Sequence, residues 1–291
     1  MTPSPRYVAS CPVGCDAPLA LTRIALPEGE LLRCTACGQL VSQITEEGYW
    51  RSMAAFNRPD FNLPDARAAA RRLSLARRRL ARIQQLLGKA PADMRVLDVG
   101  CSRGSFVADA LELGFRAEGV EPAPDIAAAA RDAGLSVHTG LLEDQHFPDA
   151  SFDALTLFEV IEHLREPATL LAECRRVLAP GGVLLVSTGN GASWTARMMG
   201  PRWDYFQIEK DAGHVSFFNP GSISRLAQRC GFAVARIETR NVRIVTKEEV
   251  PRPVYALSKL ATGPLGLAAR ALGTGHDMLA WLKSVHAGKT T

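Results

Sequence analysis

The chain has 291 residues, 47% hydrophobic and 22% charged, with a formal net charge of +4. This is ordinary globular composition, which excludes collagen-like, coiled-coil and wholly disordered chains, and the length suits one large α/β domain with a small appendage. No apolar stretch approaches the ~20 residues of a membrane-spanning helix, and MTPSPRYVAS lacks an apolar signal core, so a soluble cytoplasmic protein is expected.

Charge is uneven along the chain. Residues 1–90 carry a surplus of +6, residues 91–240 a balance of −6, and residues 241–291 a surplus of +4. An acidic middle block does not suit a phosphate-tracking groove, so any nucleic-acid role must rest on the ends.

Residues 8–48 read as short strands and turns around cysteines. Cys11 and Cys15 are followed, after eighteen residues, by Cys34 and Cys37, with Gly14 and Gly38 at the two turns. Paired cysteines at this spacing are the signature of a four-thiolate zinc ribbon, although the first pair has one residue more than the commonest C-x-x-C. A segment this small has too little core to fold unaided, which is a physical reason for a structural zinc. The alternative is free thiols. Cys101, Cys174 and Cys230 stand alone and read as small buried residues.

A connector with Pro59 and Pro64 leads into a helix over about 65–88, with Asp65 in its first turn and Gly88 as a stop. Leu73, Leu80, Ile83 and Leu87 fall on one helical face. Arg67, Arg71, Arg72, Arg77, Arg78, Arg79 and Arg82 crowd the rest. The run reads as a solvated face paired with the acidic block. Phosphate affinity makes RNA an alternative partner, but the helix carries no aromatic platform for bases.

From residue 94 onward, strand-like runs (MRVLDVG, RAEGVE, LSVHT, FDALTLF, GVLLVST) alternate with helices near 105–113, 125–133, 167–178 and 221–230. This rhythm means βαβ units and a parallel sheet. FAVARIETR and NVRIVTK, almost back to back, suggest a terminal antiparallel hairpin. The tail from 251 has Ala/Leu-rich helical pieces, suited to a lid or to contact with a second copy. The expected division is therefore 1–48, 49–90, 91–250 and a helical tail over 251–291.

The sharpest signal is Val96-Leu97-Asp98-Val99-Gly100-Cys101-Ser102-Arg103-Gly104-Ser105-Phe106, a buried strand running through a glycine turn into a helix. About twenty residues on, the next strand ends in Glu121, placed to accept hydrogen bonds from ribose hydroxyls. The Gly-x-x-x-Gly spacing differs from the dinucleotide G-x-G-x-x-G. Further along come Gly140-Leu141-Leu142-Glu143-Asp144, then Phe147-Pro148-Asp149-Ala150-Ser151-Phe152-Asp153, then Phe158-Glu159-Val160-Ile161-Glu162-His163-Leu164, and finally Ala179-Pro180-Gly181-Gly182.

With these motifs in this order, residues 94–240 resemble the class I S-adenosylmethionine-dependent methyltransferases, nearest the branch of ubiquinone-pathway, sugar and natural-product enzymes. The resemblance implies a Rossmann-like, seven-stranded α/β fold. It implies that Asp98, Gly100, Cys101 and Gly104 line the methionine end, Glu121 holds the ribose, Leu141 and Leu142 flank the adenine, and Phe158 closes the pocket. Ser102 stands where a middle glycine is frequent, and Leu141 where a carboxylate often meets the adenine. Zinc ribbons also precede such domains in carbohydrate- and rRNA-modifying relatives.

Methyl transfer to a hydroxyl needs an aligned nucleophile and a base. His214, after the fifth strand of the parallel series, is one candidate, and the other reading is a histidine that fixes loop geometry. Glu159, Glu162 and His163 would share one face if helical. Ubiquinone-pathway relatives hold a divalent cation with a matching Glu-x-x-Glu-His, whereas the simpler reading has Glu159 shaping the pocket. Trp194, Trp203, Tyr205, Phe206, Phe217 and Phe218 crowd residues 190–219, which reads as a substrate-covering lid or a satellite core. The sequence thus predicts O-methylation of a small molecule such as a sugar, polyketide or aromatic intermediate. RNA methylation and cofactor binding without catalysis are the alternatives.

Overall fold

The computed structural model describes residues 5–57, 66–208, 213–245 and 250–285. Pro59, Pro64, Asp65, Asp211 and Ala212 lie outside the described residues. Among those described, eleven strands form two sheets. The smaller is built from β1 (Leu19–Leu26), β2 (Gly29–Cys34), β3 (Leu40–Val41) and β9 (Ser216–Phe217), in that order.

The larger sheet holds β4 (Arg95–Val99), β5 (Arg116–Glu121), β6 (Val137–Thr139), β7 (Phe152–Phe158), β8 (Leu178–Gly189), β10 (Phe232–Arg240) and β11 (Asp277–Ser284). Its order is β10-β11-β8-β7-β4-β5-β6, parallel except for β11, which runs antiparallel to both neighbours. The central strands read as unbroken apolar runs because both faces are covered. This is the Rossmann-like arrangement that the alternating motifs predict.

The helices are α1 (Glu46–Met53), α2 (Ala66–Leu87), α3 (Ser105–Glu112), α4 (Pro124–Asp132), α5 (Pro167–Val177), α6 (Trp194–Met199), α7 (Pro220–Arg229) and α8 (Arg252–Ala271). The apolar face of α2 buries Leu80 and Ile83 against Val96, Val183, Leu185, Leu279 and Trp281. No described helix is long and apolar enough to cross a membrane.

Two expectations fail at the end of the chain. The partner of β10 is β11, Phe232 facing Ser284 and Arg240 facing Asp277, rather than the NVRIVTK segment that follows it. Asn241 takes a left-handed backbone (φ 62°) and leads the chain out of the sheet. The tail expected to be helical therefore supplies an interior strand. Helix α8 itself runs through Gly263-Pro264 without a break.

The aromatic insertion is mostly core. Trp203, Phe206 and Phe217 pack with Leu31, Leu40, Val41 and Tyr49 of the amino-terminal module. Phe218 joins the main core instead, beside Cys11, Val13 and Cys34.

Candidate active site

The sheet reverses its winding direction between β4 and β7, and ligands of such sheets bind at the carboxyl ends of those strands. Here β4 is followed by Gly100, whose amide donates to the Val120 carbonyl at 2.8 Å; Cys101 donates to the same oxygen at 3.0 Å. Gly100 and Gly104 both sit at positive φ (73° and 72°). Neither has room for a Cβ, which would lie 2.5 Å from Val160 Cγ2 or 2.4 Å from Leu135 Cδ1. Ser102 also adopts positive φ, 51°, which is why glycine suits this position.

Glu121 ends β5 with its carboxylate turned inward. It accepts the Ser102 amide at 2.8 Å and the Ala123 amide at 2.9 Å. Burial raises its pKa, and these two amides oppose the rise. A carboxylate can accept about four hydrogen bonds, so two acceptor positions remain for a diol. Asp98 is buried beneath the loop and accepts the Thr156 hydroxyl at 2.6 Å. Burial pushes its carboxyl up to about 7, against the pull of Thr156 and Arg79.

Of the two leucines after β6, Leu141 is 55% exposed and Leu142 only 1%, its side chain lying in the main core. Only Leu141 offers its side chain to a ligand. The Cys101 thiol is buried and raised by burial first. Phe158, the last residue of β7, meets Phe106 edge-on at 4.8 Å.

Arg79 is the site residue that sequence reasoning missed. Its guanidinium lies 4.4 Å over the Phe158 ring. Burial lowers its pKa, while the charges of Glu159 and Asp98 oppose that. The helix read as a solvated face therefore turns one arginine into the site, while Arg71, Arg77 and Arg78 stay exposed. The signal available was its position one residue from Leu80, at the border of the apolar stripe.

Beyond Phe158 the chain does not continue as a helix. Glu159 has φ 55° and Ile161–His163 forms a single 3-10 turn, so Glu159, Glu162 and His163 do not share a helical face. Among the described residues, the four cysteines are the group whose metal-ligand atoms converge, all within 4.8 Å of one another. In the Glu-x-x-Glu-His segment the Glu159 and Glu162 carboxylates meet one another, without a third ligand atom gathered beside them as in the cysteine group.

Glu159 instead accepts hydrogen bonds from the Ser187 hydroxyl at 3.1 Å and from the Tyr205 hydroxyl. Burial raises the pKa of Glu159, and burial followed by the charge of Glu159 raises Glu162 well above the carboxylate range. Tyr205 fits beside Gly189, where a Cβ would come within 2.7 Å of its ring. It stacks on His214 with ring centroids 5.1 Å apart. His163 lies 4.7 Å from His214 on another side.

Burial lowers His214 to about 4, so its ring is neutral at ordinary pH. Its Nδ1 lies 3.1 Å from the Tyr205 carbonyl oxygen. A carbonyl can only accept, so Nδ1 carries the proton and Nε2 keeps its lone pair.

The four cysteine thiols are free of disulfides. Cys11 Sγ and Cys37 Sγ stand 3.6 Å apart, near the ~3.8 Å edge of a tetrahedron with Zn–S of about 2.3 Å. Gly14 and Gly38 turn the two knuckles at φ 77° and 71°. Cys34 is lowered by the amides of Cys37 and Ala36 and by its neighbouring thiols, against burial. The donor set suits a thiophilic divalent ion.

A family model described as a methyltransferase domain matches residues 68–237, the stretch that carries every one of these loops except those of the cysteine module and His214's immediate support from it. The chain belongs to the methyltransferase domain family. It is 28% identical over 184 residues to a ubiquinone biosynthesis O-methyltransferase of Xanthomonas axonopodis pv. citri, covering 57% of this chain and 77% of that one. A ubiquinone biosynthesis O-methyltransferase of Methylococcus capsulatus is 29% identical over 165 residues, 50% of this chain and 66% of its own. In fold, the methyltransferase is similar to an S-adenosylmethionine-dependent methyltransferase of Archaeoglobus fulgidus, with TM-score 0.52 and 20% identity, covering 73% of this chain and 94% of the other. It is a class I S-adenosylmethionine-dependent methyltransferase.

Proposed function

We propose that this methyltransferase moves a methyl group from S-adenosylmethionine to a hydroxyl of a small molecule such as a sugar, polyketide or aromatic intermediate. The observation that carries this reading is the fixed tautomer of His214, a neutral imidazole with Nε2 free to accept a proton. The bound cofactor supplies an electrophilic methyl on a sulfonium, a good leaving group.

The protein's part is to hold and align. Glu121 takes the ribose hydroxyls, and Leu141 lies along the adenine. Asp98, with Gly100, Cys101 and Gly104, lines the methionine end. Arg79 and Phe158 separate that end from the acceptor space. Glu159, with Ser187 and Tyr205, shapes the acceptor side. His214 Nε2 takes the acceptor's proton as the oxygen attacks. Cys11, Cys15, Cys34 and Cys37 hold a structural zinc. Glu159, Glu162 and His163 serve the acceptor pocket as buried polar groups without a cation.

The test is to incubate the protein with methyl-labelled S-adenosylmethionine and an extract lacking the endogenous enzyme, then to separate products by class. Ribonuclease-resistant label in small molecules or glycans is the expected result. Label in RNA would replace this reading with the RNA one and give the exposed arginines of α2 a binding role. Cofactor binding with no label in any fraction would point to a non-catalytic protein.

A further inference from the structure

The cysteine module does not hang from the catalytic domain. Its strand β3 pairs with β9, Leu40 facing Phe217 and Val41 facing Ser216. The Ser42 amide donates to the Val215 carbonyl at 3.0 Å, and the Val215 amide donates to the Glu162 carbonyl at 2.8 Å. Three segments far apart in sequence are thus joined by backbone hydrogen bonds, and His214 is the residue next to the shared one.

A second tie runs through α1, where the Tyr49 hydroxyl donates to the His163 carbonyl at 3.0 Å. Gly213 packs where a Cβ would lie 2.9 Å from Ser52 Oγ and 3.1 Å from Met53 Sδ.

The other end of this chain of contacts is the cysteine cluster. Cys34 donates its amide to Gln39 at 2.9 Å, and Gly38 donates to Cys34 at 2.9 Å, so the knuckle of Cys34 and Cys37 is also the turn that delivers β3. Asn219, the N-cap of α7, reaches the Cys37 carbonyl at 3.4 Å. A two-residue strand has little pairing energy of its own, so its place depends on the packing of Leu40 and Val41 and on what fixes the turn before it.

We propose that metal occupancy of the four-cysteine site controls the acceptor half of the active site. The loaded site pins the β2–β3 turn, β3 holds Val215, and Val215 sets both His214 and the Glu162 turn. The cofactor half, built on β4, β5 and α3, meets this chain of contacts by side-chain packing, Val160 lying beside Gly100, rather than through these backbone hydrogen bonds. The role given to His214 rests on the function proposed above, but the coupling itself does not.

The test uses the full-length protein, zinc-loaded and stripped by an organomercurial, with release followed by a zinc dye. Hydrogen exchange is read in peptides covering 213–218 and 95–99, and binding of S-adenosylhomocysteine by calorimetry. Stripping is expected to speed exchange at 213–218 by roughly fivefold or more, the equivalent of about one lost hydrogen bond. Exchange at 95–99 should not change, and affinity for S-adenosylhomocysteine should stay within about threefold. Unchanged exchange at 213–218 would overturn the proposal. Equal acceleration everywhere would also overturn it, since the metal would then only support the whole fold.

Ser42→Pro gives an independent reading, because it removes the amide donor and leaves all four cysteines. It should keep one zinc per chain and still show faster exchange at 213–218; wild-type exchange in this variant would break the β3 route. A loaded protein that methylates no acceptor, yet shows the selective exchange, would sink the proposed function and leave the coupling standing.

Discussion

The two halves of the proposed active site are built in different ways. The cofactor half is nearly contiguous: Asp98, Gly100, Cys101, Gly104 and Glu121 come from one βαβ unit, stapled by the amides of Gly100 and Cys101 to Val120. The acceptor half draws on the Glu159–His163 turn, Tyr205 from the insertion, His214 before β9, and backbone support from the cysteine module. A site made from one unit is set by local sterics. A site made from distant segments depends on packing between them, so it is the half where substrate choice and control can vary without disturbing the cofactor.

The comparison is broken most directly at His214. His214→Ala is expected to cost ~10²–10⁴-fold in turnover with cofactor affinity unchanged, measured by single-turnover kinetics and calorimetry. Equal losses in both would make the histidine a loop residue. The native enzyme's acid limb should fall near pH 4, because the base works only unprotonated and burial holds it at about 4. A limb near the ordinary histidine value would contradict this environment.

On the other half, Gly100→Val combines a strained positive φ with a Cβ aimed at Val160. It should lower cofactor affinity by about 100-fold, the upper end of ~1–3 kcal/mol of backbone strain. Arg79→Gln lies at the seam between the halves. Losing a charged contact worth ~1.5–3 kcal/mol should raise the cofactor Kd by about tenfold or more.

Smaller effects sharpen the picture. Asp98 is raised to about 7 in the free protein, so below that pH it holds a proton that must leave when a cationic amino group binds beside it. Affinity for S-adenosylhomocysteine should therefore rise with pH up to about 7, by at most about tenfold per unit, and then level off. Divalent cations removed by a mild chelator, with the cysteine metal left in place, should leave the rate unchanged, since the proposed function gives Glu159, Glu162 and His163 no cation. Restoration of activity by added magnesium would reverse that assignment. Ser102→Gly, at φ 51°, should change stability by no more than about 1 kcal/mol in thermal unfolding.

Much of this was legible in the residues. The loop from Asp98 to Gly104 shows in the sequence because a strand, two glycines at fixed spacing and a helix start each reflect short-range preferences. Phe232–Arg240 and Phe152–Phe158 are strands with the ends expected, for the same reason. The pairing of β10 was misread because NVRIVTK and DMLAWLKS are both good strand sequences, and proximity in the chain favours the wrong one. Burial decided it: Met278, Ala280 and Leu282 fill a slot inside the main core. The Glu-x-x-Glu-His segment looked helical by spacing, but the chain must turn at Glu159 to leave the sheet.

The sequence by itself determined the α/β class, the glycine loop, the carboxylate at the end of β5 and the paired cysteines, because each depends on a few neighbouring residues and on period. Only the tertiary structure decided that Arg79 faces Phe158, that Tyr205 reaches Glu159, and that β3 of the cysteine module holds the segment of His214. These are contacts between segments 46 to 177 residues apart. They exist because apolar faces had to be buried together, and no local pattern records which face meets which.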